Sequence, residues 1–446
     1  MKKILISAAV ALLIILFKPL GMDLNQSILI AGLTLTIIWW TTNIVDKTYA
    51  SVFLLAVFVI FGKTPLVSVF HFPLSETFIM LIFSFLFSQG ISNSKLADKL
   101  LQPILLKQAK SLPRLLVSIF VIQIAMIFII PQPFSRVIIL SIVLTEFFNK
   151  INLEDRTKEV LLFWLYASSV HVNMLMIRGD IILNNALMTI AGNPLNESTW
   201  MQYMLIPSFL FYLMVVAGFL FVFRKDLKRY HVKKDSMEIH FDKLDRKEKI
   251  QLIIIASVVI AWALESIHGI SGTIIVVTGT LVMFALKWLE RRDLKTVNIK
   301  LLIFLTAAFS IGNVLKTSGT ADVLFSGFIN MFPKEFNFYY VFLIFATSAG
   351  LHMVFGSNMT TLSVVIPGLL TIGSGLVKTE IIMFIIYFSV CSHYVLPFHN
   401  VIMMIGEGNK QYRPETLLKF APALTGIVTI SILFIYMNWW RLAGLL

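Results

Sequence analysis

The chain has 446 residues, is 58% hydrophobic and only 14% charged, with a mean hydropathy of +0.86, which excludes an ordinary soluble globular protein. Its formal net charge is +13, yet the basic residues stand in loops beside apolar spans, which points to cytoplasmic loops and away from a nucleic-acid partner. The single cysteine, Cys391, excludes an internal disulfide and a cysteine-based metal site.

Apolar runs of about 20 residues recur from end to end without ten-residue alternation, so they predict membrane helices and not a barrel. Lys2 and Lys3 precede the first run. Phe17-Lys18-Pro19-Leu20 follows it where a signal peptide would carry a small-residue cleavage site, so the run is read as the first helix. Helices are predicted at about 4–21, 27–45, 48–62 and 76–93, then an amphipathic stretch over 95–114. Two short apolar segments, 114–130 and 137–148, meet at Pro131-Gln132-Pro133-Phe134-Ser135-Arg136 and predict a re-entrant hairpin. A helix from about 160 breaks near Arg178, and another follows at 200–223. The polar stretch 224–249 reads as a solvated cytoplasmic linker between a first repeat, 1–223, and a second, 250–446. The second repeat predicts helices at 250–267, 271–288 and 299–315 and a hairpin over 338–376 with its tip at Ser357-Asn358. A broken helix over 380–405 and a last helix over 417–438 follow, ending at the interfacial pair Trp439-Trp440.

This threading is an all-α polytopic membrane protein of about 11 transmembrane helices plus two re-entrant hairpins. With the N-terminus in the cytoplasm and the C-terminus outside, the external side carries only Lys18, Lys63, Lys316, Lys334, Lys378 and Arg441. Arg136 and Arg178 lie at depth, and every other Lys and Arg falls on the cytoplasmic side, as the positive-inside rule requires. The two hairpins then enter from opposite faces. Broken helices at matching positions of two inverted repeats mark a secondary transporter with its substrate at the midplane. The location expected is the plasma membrane.

An arginine at depth costs about 3 kcal/mol or more unless paired or facing a cavity. Arg136 is therefore either paired with a neighbour such as Asp180 or a ligand for a carboxylate, which its planar fork suits. Arg178 and Asp180 in Ile177-Arg178-Gly179-Asp180 either satisfy each other or serve a ligand. Ser357-Asn358-Met359-Thr360-Thr361 offers hydroxyls, an amide and helix-start N–H groups to an anion, or else Ser357 merely caps a helix. His171, His352, His393 and His399 lie near the four interruptions and suit substrate binding or proton linkage. They lack metal-ligand spacing, so neither metal nor cofactor is expected. No P-loop, dinucleotide fingerprint or nucleophile elbow occurs, and no enzyme activity is expected.

The chain resembles the divalent anion/sodium symporter family, the INDY-type dicarboxylate transporters. Ser357-Asn358-Met359 with Pro367 is similar to the second of that family's two hairpin-tip motifs. Trp39-Trp40, Gly312 with Lys316-Thr317-Ser318-Gly319, and Leu396-Pro397 with Asn400 add to the likeness. The resemblance implies an elevator-type homodimer in the bilayer that binds dicarboxylates. The chain departs from the family where Gln132-Pro133-Phe134 replaces the first tip motif and Arg136 replaces a second threonine. Fixed positive charge then stands where sodium would sit, and an empty carrier so charged is costly to move through the low-dielectric barrier. The expectation is sodium-independent exchange of C4 or C5 dicarboxylates: succinate, malate, fumarate or 2-oxoglutarate. Contacts are expected from Arg136, Ser357, Asn358, Thr360 and Asn400, with Ser135, His399 and Arg178 beside them. The alternatives are a sodium- or proton-coupled symporter of the same fold and, from another class, a membrane enzyme or channel with central histidines.

Overall fold

The computed structural model describes residues 2–42, 44–94, 96–129, 133–232, 244–263, 268–297, 299–323, 331–355, 358–373 and 375–446, and all its regular elements are helical. The first group of helices is α1 (Lys2–Phe17), α2 (Leu24–Thr42), α3 (Lys47–Phe61), α4 (Glu76–Ser94) and α5 (Leu96–Gln108). Next come α6 (Leu112–Ile129), α7 (Pro133–Lys150), α8 (Asp155–Val172), α9 (Ile181–Ala191) and α10 (Glu197–Val222). The second half holds α11 (Arg246–Ala263), α12 (Gly272–Ala285), α13 (Ile299–Thr317), α14 (Phe338–Phe355), α15 (Asn358–Gly373), α16 (Thr379–Cys391) and α17 (Val401–Gly408). Last, α18 (Pro414–Ile430) runs on through a π-turn, Ser431–Tyr436, to Met437–Leu442.

Two of these helices, α10 and the span Pro414–Leu442, are long and apolar enough to cross a bilayer unaided. The other apolar helices carry shorter apolar stretches, of 10–17 residues. Side-chain caps fix several starts: Asp46 accepts from the Thr48 amide at 2.9 Å and Asn196 from Thr199 at 2.8 Å. Gly192 closes α9 at φ 63°, a conformation that glycine adopts without penalty.

The packing order explains where the centre lies. Helices α1, α2, α3 and α13 pack in succession, as do α4, α12 and α11. The second parts of the two broken helices then exchange sides: α9 packs on α15 and α16, whereas α17 packs on α7 and α8. Each interrupted helix is thus held by the opposite half of the chain.

The two helix pairs differ from the sequence reading at their tips. The second arms begin at Pro133 and Asn358, about a turn before the expected 137 and 362. Proline fits a first helical position, where no N–H is needed, so Arg136 sits inside the first turn of α7 and not in the break. Residues 130–132 and Ser357 lie outside the described residues, as do the side chains of Ser135 and Thr360.

The stretch read as a solvated linker begins tied down. Arg224–Leu227 forms one helical turn, and Asp226 in it takes Arg156 of α8 at 3.2 Å and Lys419 of α18 at 2.9 Å. Glu159 beside them binds Arg156 at 2.9 Å and Arg413 at 3.0 Å. Residues 233–243 of that stretch lie outside the described residues.

Candidate functional site

The chain between α8 and α9 is unwound from Asn173 to Met176, with one 3-10 turn at Ile177–Asp180. A free backbone in an apolar setting needs partners, and side chains supply them. Asn184, fully buried on α9, sends Nδ2 toward the carbonyls of Asn173 (3.4 Å), Met176 (3.2 Å) and Ile177 (3.1 Å). Glu197 accepts from the Ile177 amide at 2.8 Å, and Asp180 caps α9 through the Leu183 amide at 3.1 Å. The turn folds so tightly that a Cβ on Gly179 would stand 2.1 Å from the Asn173 carbonyl oxygen.

Arg136 reaches this segment from α7. It is 2% exposed, donates to Asn173 Oδ1 at 2.8 Å and also to the Gly179 carbonyl. It therefore braces the break between α8 and α9. Because Asn173 gives its oxygen to Arg136, its Nδ2 is the end left over, and that buried nitrogen has no partner among the described residues.

The second interruption, Ser392–Asn400, is built likewise. Asn400 caps α17 by accepting from Ile402 at 2.9 Å. His399 Nδ1 accepts from the amides of Val395 (3.1 Å) and Leu396 (3.3 Å), which places its ring proton on Nε2. The His352 ring lies 5.6 Å from that of His399 and its Nδ1 is 3.1 Å from Thr361 Oγ1. His393 Nε2 is 2.9 Å from Thr425 Oγ1.

Between the two interruptions lies a cavity of about 60 Å³. Four helix starts bound it. They contribute Phe134 from α7, Ile182 from α9, Asn358 and Met359 from α15, and Val401 from α17. Asn173, Asp180 and Asn400 complete the polar wall. A helix start carries a partial positive charge of about half a unit, so the four together favour an anion. Asn358 Oδ1 and Asn173 Nδ2 are buried polar atoms without partners among the described residues, available to a ligand.

Of the residues expected to bind substrate, Asn358 and Asn400 line this cavity. Arg136 stands behind Asn173, and Arg178 is half-buried with no ion pair to Asp180 among the described residues. His399 lies in the second interruption but is not among the cavity's lining. Sequence reasoning missed Asn173 and Asn184. An asparagine in an otherwise apolar run was their available signal. Among the described residues no group of three His, Cys, Asp or Glu side chains is placed to hold a metal.

Interrupted helices whose starts converge on a buried cavity define a membrane carrier for small anions. A family model described as citrate transporter matches residues 37–389, and the chain belongs to that family, CitMHS. It is a transporter family related to the divalent anion/sodium symporters, and its members are multi-pass membrane proteins with small anionic substrates. The chain matches no curated protein.

Proposed function

We propose that the protein exchanges small polycarboxylates across the plasma membrane without sodium. The substrates in view are the C4 and C5 dicarboxylates succinate, malate, fumarate and 2-oxoglutarate, and citrate, named in the family's description. The observation that carries this is the convergence of four helix starts on one cavity, with Asn173, Asn358 and Asn400 in its wall. In this reading Arg136 contributes its field and holds Asn173 for the ligand, while Ser135, Ser357, Thr360, His399 and Arg178 complete the surround.

The motion proposed is elevator-like, in a homodimer with a cytoplasmic N-terminus and an external C-terminus. The repeats are 1–223 and 250–446, joined by 224–249, with hairpins at 114–148 and 338–376 and broken helices at 160–190 and 380–405. The reciprocal packing of α9 and α17 supports a moving body that contains both interruptions. The likeness to the INDY-type symporters then extends to an exchanger branch.

One observation favours a second reading. Asp180 stands in the cavity wall, and its carboxylate opposes the positive field of Arg136 and the helix starts. That arrangement suits symport with a sodium ion or proton taken up beside the substrate. Uptake of radiolabelled succinate, 2-oxoglutarate and citrate into proteoliposomes separates the two readings. Uptake that requires internal carboxylate and ignores sodium and pH gradients supports exchange. Uptake into empty vesicles driven by a cation gradient overturns exchange in favour of symport.

A further inference from the structure

A second cavity, of about 180 Å³, lies farther along three of the helices that line the central one, α9, α13 and α15. Helix α9 supplies Ile182 and Leu183 to the central cavity, then Asn185 and Thr189 to the second. Helix α13 supplies Phe304 and Leu305, then Ser310, Asn313 and Lys316. Helix α15 supplies Asn358 and Met359, then Pro367. The three run in one direction, from the central cavity toward the outer one.

A separate apolar cluster stands between them, formed by Phe72, Ile182, Ala186, Leu305, Ala308 and Met359. Phe72 stacks on Phe309 with centroids 4.7 Å apart and planes 7° from parallel. The route from the outer cavity inward is thus closed by a dry seal one or two side chains thick.

The outer cavity's chemistry differs from that of a packing defect. Lys316 and His71 line it together with Asn185, Asn313 and Ser310, and no carboxylate is among its lining residues. Asn313 Nδ2 donates to the Ser68 carbonyl at 3.2 Å, which fixes the short helical turn Leu66–Val69 as the outer wall. A lysine at the C-terminal end of a helix is favourable in itself, but that alone does not open a polar cavity beside it.

We propose that this outer cavity is a second carboxylate site, a waiting station held by Lys316 and separated from the central cavity by the Phe72–Phe309 seal. The proposal deepens the carrier reading and rests on it for the choice of ligand. A lysine of this kind binds as a point charge and raises the local anion concentration, an effect that salt screens.

The test is cysteine protection. Cys391 is buried, so the unmodified protein gives the background labelling rate. In Asn313→Cys, and in Ser68→Cys as a second reporter, the rate with an anionic methanethiosulfonate is measured with and without citrate or succinate. The expected result is several-fold, saturable protection that weakens with salt, is lost in a Lys316→Gln background and persists in an Asn173→Ala background. Absence of protection in both reporters, protection unchanged in Lys316→Gln, or protection lost in Asn173→Ala would each overturn the proposal. Uptake by the unmodified protein is measured in parallel. Uptake without protection removes the outer site and leaves the carrier reading standing. Protection without uptake does the reverse.

Discussion

The hydroxyl of Tyr394 lies 3.2 Å from Nε2 of His171, and the two rings stack with centroids 5.8 Å apart and planes 22° from parallel. One residue belongs to the second interruption and the other to the end of α8, so this contact ties the two broken helices together at the centre. Tyr394→Phe keeps the ring and removes the bond. It also leaves His171 Nε2 buried without that partner, at a cost of about 1–3 kcal/mol. The thermal midpoint of the purified protein in detergent should fall by several degrees. An unchanged midpoint would mean that the two interruptions are not coupled there.

Arg136 is predicted to be intolerant even of conservative change. Lysine cannot span Asn173 Oδ1 and the Gly179 carbonyl with one planar group. Leaving a buried acceptor such as the Gly179 carbonyl or Asn173 Oδ1 without its donor costs about 1–3 kcal/mol. Arg136→Lys and Arg136→Gln should both lose at least tenfold in carboxylate uptake at equal amounts of folded protein, judged by gel filtration. Uptake retained in Arg136→Gln would remove the residue from the site.

The partners of Arg136 also show what a sequence discloses and what it withholds. The interruptions are legible because proline, glycine, asparagine and charged residues stop apolar runs at Pro131, Gly179, Gly356 and Pro397. The helix starts are misplaced by about a turn because Pro133 and Asn358, which open helices, look like loop residues when read alone. The partners of Arg136 are 37 and 43 positions away, and nothing local names them. Asp180, the partner expected for Arg136, caps α9 and also feels the charge of Arg136, from 44 positions along the chain. The exchange of α9 and α17 between the halves is likewise a product of long-range packing.

Gly179→Ala tests the tight turn. The added methyl would meet a backbone oxygen, and a carbonyl cannot swing aside as a flexible side chain can. Overpacking of this kind costs about 1–3 kcal/mol. The variant should melt earlier than the parent, and Asn184→Ala, which frees three carbonyls, should melt earlier still.

The charge cluster that joins the ends of α8 and α18 to the turn at Arg224–Leu227 sets an acid limit. Burial pushes the Glu159 carboxyl up. Hydrogen bonds from Arg413, Thr416 and Arg156 outweigh this and hold it at about 2, against an ordinary value of 4.5. Asp226 is opposed by burial in the same way and is likewise held below its ordinary value by Lys419 and Arg156. A carboxyl whose value is lower when folded stabilises the fold above its unfolded value and loses that contribution as pH falls toward the folded one. Stability should therefore decline as pH drops from about 4.5 toward 2. Glu159→Gln should flatten that decline in melts recorded across the range, and an equally steep acid limb in the variant would place its cause elsewhere.

The four converging helix starts have a consequence for how the cavity responds to mutation. Much of its attraction for an anion resides in main-chain N–H groups, which no side-chain substitution deletes. Serial alanine replacement should therefore return a shallow map of affinity around the cavity, with its sharp losses confined to residues that set the direction of a helix axis. Chemistry that rewrites the main chain itself, such as an ester in place of the amide at Asn358, would register the contribution that side-chain scanning passes over.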